Sequence, residues 1–206
     1  IKLINKLKEY NSYIIMDKQL FLKFIDDNIK EYKFLNGELK IGNLRNNVFD
    51  YKINNNIYNN FKKFIDSNSR YKKESFTQSI YKHYDMYMVT KNENSHTCFK
   101  LINPNYKYIK LFENKLALRY KNTSNLMIDQ INFPALEKYD QEENQEIDRY
   151  TISFKNSQIL IDFININKNV NSIIISFQIH ENNYENSLKN LSYILSKFYK
   201  INFTLK

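Results

Sequence analysis

Residues 149–155, Arg149-Tyr150-Thr151-Ile152-Ser153-Phe154-Lys155, alternate without a break between polar and apolar side chains. A strand turns successive side chains to opposite faces, so Arg, Thr, Ser and Lys share one face and Tyr, Ile and Phe the other. Two further stretches repeat the pattern. Lys115-Leu116-Ala117-Leu118-Arg119-Tyr120-Lys121 sets Lys, Ala, Arg and Lys against Leu, Leu and Tyr; Ile173 to His180 sets Ile, Ile, Phe and Ile against Ile, Ser, Gln and His. The polar faces can point to solvent, as in an antiparallel sandwich, or into a barrel whose apolar outside is covered by helices.

Working outward from these strands, the stretch from Glu74 to Glu181 reads as strand after strand. The expected segments are Phe76–His83, Tyr84–Thr90, His96–Ile102, Tyr106–Phe112, Lys115–Lys121, Arg149–Lys155, Gln158–Ile166 and Ser172–Glu181. The acidic run Asp140–Glu146 is expected to be an exposed loop. A short strand, Glu38–Ile41, follows Gly37. Three amphipathic helices are expected. One runs from about Lys18 to Tyr32 with Asp17 as its cap, one from about Asn56 to Ser67, and one from about Glu185 to Lys200. Ile57, Phe61, Phe64 and Ile65 mark the apolar side of the second, and Leu188, Leu191, Leu195 and Phe198 that of the third. Together these elements predict an α+β fold, an antiparallel β-barrel with amphipathic helices packed outside.

The 206 residues fit one domain, with residues 1–16 as a flexible lead-in. No repeat or linker divides them. The chain opens on Ile1 without a signal-peptide pattern, as an excised domain or a chain lacking its disordered start would. Ile, Phe and Tyr dominate the apolar residues, and Asn and Lys are abundant, a composition that an AT-rich genome produces. The formal net charge of +9 admits nucleic acid or phosphate-rich partners, although codon bias toward Lys inflates it. The single cysteine, Cys98, excludes an internal disulfide and a cysteine-based zinc cluster, and points to a reducing compartment such as the cytoplasm. No apolar run approaches the ~20 residues of a membrane span, so no membrane partner is expected.

The order of elements and several local motifs resemble the triphosphate tunnel metalloenzyme superfamily, above all the RNA triphosphatase domains of mRNA-capping enzymes from large DNA viruses. "DRYTISFKNSQILIDFININKN" looks like the family's Arg strand followed by its Asp strand, with Arg149 and Asp162 at the matching positions. "SIIISFQIHENNYENSLKNLSYILSKF" looks like the last strand and closing helix. "NGELKIGNL" followed by "IYNNFKKFI" sits where the first glutamate strand and its helix belong, and "NKLALRYKN" sits at a basic strand. The resemblance covers about residues 17–200 and implies a tunnel that binds RNA 5′ ends or polyphosphate. It also implies a capping or transcription subunit as partner, and a viral factory or virion as location.

In that family, alternating glutamates on two strands hold a divalent metal, while Lys and Arg clamp the phosphates. Here the first strand keeps Glu38 but carries Lys40 at the next inward position, and the last strand offers Ser176, Gln178 and His180. Glu38 is therefore the one catalytic candidate, and Mg²⁺ or Mn²⁺ is expected only if the domain is active. No other cofactor or metal is expected, because Gln178, His180 and Glu38 make a poor set for a softer ion. The resemblance assigns phosphate binding to Lys115, Arg119, Lys121, Arg149 and Lys155, and tunnel lining to Lys40, Asp162, Gln178 and His180. A tunnel that keeps its clamps and loses its metal cage would bind polyphosphate without hydrolysing it efficiently. Two other functions stay open, an active divergent triphosphatase and a structural barrel that docks another subunit. Arg149 and Asp162 can equally be a structural ion pair. His83 and His96 read as packed or surface residues, and Cys98 as a small core residue.

Overall fold

The alternating stretches assemble into one antiparallel sheet in the computed structural model, which describes Lys23 and residues 34–46, 48–84, 86–93, 95–100, 106–111, 116–122, 140–154, 157–180 and 184–204. Strand β1 (Phe34–Arg45) leads into a short β2 (Val48–Asp50), followed by helix α1 (Asn55–Asp66). Then come β3 (Lys72–His83), β4 (Met86–Lys91), β5 (Ser95–Lys100), β6 (Tyr106–Leu111), β7 (Leu116–Asn122), β8 (Asp140–Phe154), β9 (Ser157–Ile166) and β10 (Val170–His180). Helix α2 (Tyr184–Thr204) closes the order. Among the described residues, ten strands form one sheet in the order β5-β4-β3-β8-β9-β10-β1-β7-β6, with β2 paired to β1. The two end strands, β5 and β6, are consecutive in the chain, and among the described residues no pairing joins them.

The apolar face of the sheet packs against both helices. Leu39 and Ile41 of β1, Tyr150 of β8, Ile159, Ile161 and Phe163 of β9, and Ile173, Ile175 and Phe177 of β10 form one buried cluster with α1 and α2. Helix α1 contributes Tyr58, Phe61 and Ile65, and α2 contributes Leu191, Ile194 and Phe198. The Phe61 ring meets Phe198 edge-on at 5.1 Å and Phe163 at 5.6 Å, joining the two helices to the sheet through one side chain. Each such side chain, fully buried, contributes roughly 1.5–3 kcal/mol. Asn54 caps α1, its side-chain oxygen accepting from the Asn56 amide at 2.8 Å. Both described helices thus fall where the 3.6-residue periodicity puts them. The helix expected between Lys18 and Tyr32 lies outside the described residues, except for Lys23, which is helical. Among the described residues no helix is long and apolar enough to cross a membrane.

Only two glycines occur in the chain, so left-handed turn positions fall to other residues. Asn46, Asn92 and Asn167 take φ values of 49°, 49° and 48°, a conformation that asparagine tolerates better than most residues. Tyr84, expected to begin a strand, occupies a turn at φ 52°.

The acidic run Asp140–Glu146 is a strand and not a loop. It forms the first half of β8 and pairs with β3 from Lys82 back to Thr77. Cross-strand polar contacts replace apolar burial as the reason it holds. Ser79 Oγ donates to Asn144 Oδ1 at 2.8 Å, Gln78 Nε2 donates to Gln145 Oε1 at 3.3 Å, and Lys82 lies 3.4 Å from Glu142. A register shift between Ile80 and Tyr81 leaves Glu142 without a register partner.

Candidate functional site on the face opposite the two helices

Directly opposed residues on neighbouring strands share a face, so the register identifies what lies opposite the helices. Glu38 of β1 sits between Ser176 of β10 and Lys121 of β7, and Lys40 sits between Ile174 and Arg119. Across β9 and β8, Asp162 lies between Ile174 and Arg149, and Arg149 in turn lies opposite Glu74 of β3. The sheet therefore brings Glu38, Lys40, Arg119, Arg149 and Asp162 to one face, as the alternation predicts, with the backbone of Lys121 in register with Glu38. Gln178 is exposed and in register with Asn36, and the backbone of His180 is in register with Phe34. Lys115 and Lys155 lie outside the described residues.

The centre of this face is not polar throughout. Phe76, Ile147, Ile164 and Ile166 form a second buried apolar cluster, with Tyr51, Val170 and Ile174 packed on it. A uniformly basic, polar interior was the expectation. Strict alternation breaks down because Ile147, Ile164 and Ile174 fall on the same parity as Arg149, Asp162 and Ser176.

Arg149 is committed. Its Nε and Nη2 donate to Asp162 Oδ1 and Oδ2, each at 2.8 Å, in the fork geometry that makes charge-assisted pairs strong. That hydrogen bonding raises the guanidinium pKa above its ordinary value against the opposing effect of burial. The structural ion pair is thus the arrangement adopted. Glu74, opposite Arg149, is held below the usual carboxylate range, first by its hydrogen bond from Lys91.

Four cations on this face lie against aromatic rings. Lys40 Nζ is 3.9 Å from the Tyr51 ring centre, and the Arg119 guanidinium carbon is 5.1 Å from that of Phe49. Phe76 lies between Lys91 Nζ at 4.1 Å and the Arg149 guanidinium carbon at 5.1 Å. Phe49 and Tyr51 arrive on the short segment that carries β2. That segment reaches the face because β1 has no side chain at Gly42. A Cβ there would lie 2.3 Å from the Asp50 carbonyl oxygen and 2.7 Å from the Phe49 ring. Burial raises the Tyr51 phenol above its ordinary pKa, Glu143 adds to the rise, and Arg119 opposes it.

None of these rings was anticipated from sequence. Phe76 was assigned to a strand without a role, and the 48–51 segment to no element. The spacing of Phe49 and Tyr51, two apart like Lys40 and Gly42, is the one signal that could have pointed to them.

Behind the face, Asp148 is tied to α1 and β3. Burial raises its pKa, but hydrogen bonds from Lys62 and Ser75 and the charge of Lys73 outweigh that and leave it lowered. The buried Tyr150 hydroxyl donates to Asp66 Oδ1 at 2.6 Å. Among the described residues no group of three or more His, Cys, Asp or Glu side chains is arranged to hold a metal ion. Around Glu38, the register supplies a serine and a lysine where a hard cation needs further carboxylates. Among the described residues, the register at Glu38 does not supply them.

The fold of this chain matches those of solved RNA triphosphatase structures. The chain is similar to the structure of S. pombe Pct1 RNA triphosphatase, with a TM-score of 0.54 and 11% identity over 88% of each chain. It is similar to Pct1 in complex with the Spt5 CTD at a TM-score of 0.56 and 9% identity, over 88% of this chain and 93% of that one. The Mimivirus capping enzyme triphosphatase matches at a TM-score of 0.54 and 9% identity, over 87% and 95%. No family model and no curated protein matches the sequence. At such identities the likeness is one of fold.

Proposed function

We propose that this chain is a non-hydrolysing, RNA-triphosphatase-like domain of mRNA-capping or transcription machinery of the viral type. In this proposal β5 and β6 complete a barrel, and RNA 5′ ends or polyphosphate bind at its β1–β7 side. The observation that carries the proposal is the register at Glu38. Lys121 is the register partner of Glu38, and Lys40 and Arg119 are paired two residues along, so basic residues stand where alternating carboxylates would hold a metal. Phosphate clamps without a metal cage hold an anion and leave its phosphoryl group unpolarised. Arg149, by contrast, already has its carboxylate and adds little to phosphate affinity.

The test uses γ-labelled triphosphate RNA with Mg²⁺ or Mn²⁺. No phosphate release above background is expected, together with salt-sensitive binding of the RNA. Robust turnover abolished by Glu38→Ala would sink the proposal in favour of an active divergent triphosphatase. A second reading, a barrel that scaffolds a partner subunit, is favoured by the rings of Phe49 and Tyr51 over Arg119 and Lys40. It predicts no affinity for triphosphate RNA or tripolyphosphate at any salt concentration.

A further inference from the structure

We infer that the amide-lined groove between α1 and the β9–β10 turn is a second binding site, one that takes a guanine base. The groove lies on the helix side of the sheet, the face opposite to Lys40 and Arg119, so the inference stands apart from the phosphate-binding reading. It begins where the apolar core ends. Phe163 and Ile173 are register partners in that core, and Asp148 and Ser75 continue their row across β8 and β3. One row further on, Asn171, Asn165, Glu146 and Thr77 stand side by side on β10, β9, β8 and β3, with neighbouring strands about 5 Å apart. With Asn55 and Asn59 of α1 they line a space of about 720 Å³. A second space of about 260 Å³ shares Thr77, Glu146, Asn165 and Lys168 with the first and extends it. The larger is within the usual range for a small-molecule site.

The groups in the groove ask for hydrogen-bond donors. Asn165 Nδ2 donates to Asn171 Oδ1 at 3.3 Å, and Asn171 Nδ2 donates to Asn55 Oδ1. That relay turns the Asn165 nitrogen toward β10, and its Oδ1, a buried atom, has no hydrogen-bond partner among the described residues. A buried acceptor left unmet is costly, and a donor from a ligand removes the cost. The exposed side chains of Glu146 and Lys168 beside it can move to admit an amino group. Asp148 is already held by Lys62, Lys73 and Ser75, which leaves Glu146 as the carboxylate that can receive a donor.

Two neighbouring acceptors disfavour a phosphate, which brings only acceptors of its own. They suit an edge with adjacent N–H groups. Among the bases, guanine presents N1–H and the N2 amino group side by side, with the O6 acceptor next to them. Lys168, in the β9–β10 turn, lines both spaces and supplies the donor for O6. The turn itself is fixed to β8, since the Asn167 amide donates to the Asn144 carbonyl and the Asn144 amide to Asn167 Oδ1, each at 2.8 Å. A guanidinium carries the same paired N–H groups, but Lys168 and the formal net charge of +9 oppose a cation and favour a neutral base.

The experiment titrates nucleosides, which carry no phosphate, against the 206-residue chain and reads binding by ligand-observed NMR. Guanosine is expected to bind about tenfold more tightly than inosine, which lacks only the N2 amino group, and than adenosine, cytidine or uridine. Glu146→Gln, at an exposed position, is expected to weaken guanosine about tenfold and to leave the melting temperature unchanged. Equal affinity for guanosine and inosine overturns the site, as does guanosine affinity untouched by Glu146→Gln or no saturable binding at millimolar guanosine. Binding of N-acetylarginine amide in place of guanosine overturns the base in favour of an arginine peptide. The 5′-hydroxyl pentanucleotide UUGUU separates the two sources of a guanine. Tighter binding than guanosine, not shared by UUAUU, assigns the base to an RNA strand, and no gain over guanosine assigns it to a free nucleoside or nucleotide. Failure of the phosphate reading is distinct, because a chain that binds guanosine but not tripolyphosphate loses only the site on the other face.

Discussion

The face opposite α1 and α2 has two halves that treat positive charge differently. On β3, β8 and β9, Arg149 is gripped by Asp162 through two 2.8 Å bonds, and Lys91 is paired with Glu74. On β1 and β7, Lys40 and Arg119 are register partners, and an aromatic ring from the β2 segment lies against each. The first half satisfies its cations with carboxylates from neighbouring strands. The second sets aromatic rings against them. Sequence position alone does not distinguish the halves, since Arg119 and Arg149 both sit in strictly alternating strands.

The largest effect that could break this contrast concerns Asp162. Asp162→Ala leaves a half-buried guanidinium without its carboxylate and is expected to cost about 3 kcal/mol in urea unfolding. Replacing both partners, Arg149→Met with Asp162→Leu, should recover most of that loss. If Asp162→Ala is nearly neutral, the first half is not built on this pair.

Next comes binding. Arg119→Ala is expected to weaken tripolyphosphate affinity by about tenfold and to lower the salt slope by about one, with little change in stability. Arg149→Ala should leave affinity within about twofold. The reverse ranking would move the anion site to the Asp162 side.

The smallest effect tests what anchors β8 from behind. Asp148 has a lowered pKa in the folded state, so its contribution is present above the ordinary aspartate range near ~4. It is lost as pH falls through the folded value. The melting temperature of the wild type should therefore fall between pH 5 and pH 2 more steeply than that of Asp148→Asn, by about a few degrees. Parallel curves would show that Lys62, Lys73 and Ser75 do not favour the ionised form.

Much of the architecture was legible because it follows from periodicity. The strands of residues 149–154 and 173–180 lie where alternation puts them, and Phe61 and Phe198 face the sheet as helical spacing requires. The acidic start of β8 was not legible. A strand stabilised by Ser79 and Gln78 of a distant partner has no signature of its own in Asp140–Glu146. The functional face was half legible. Parity brought Glu38, Lys40, Arg119 and Arg149 together, but whether Arg149 meets Asp162 or a ligand depends on register and rotamer. The arrival of Phe49 and Tyr51 depends on a close approach at Gly42 that no local pattern encodes.

The pairing order also has a consequence for how the chain comes to be folded. Strand β1 finds its partners in β7 and β10, and β3 finds one of its two in β8, so most of the first half's ladder awaits residues made much later. Closure over such long sequence separations is slow compared with helix or hairpin formation. During synthesis β1, with its apolar Leu39 and Ile41, therefore keeps one edge open, and prone to aggregation, until β10 emerges. Among the described strands, the last made is the one that covers that edge of the first.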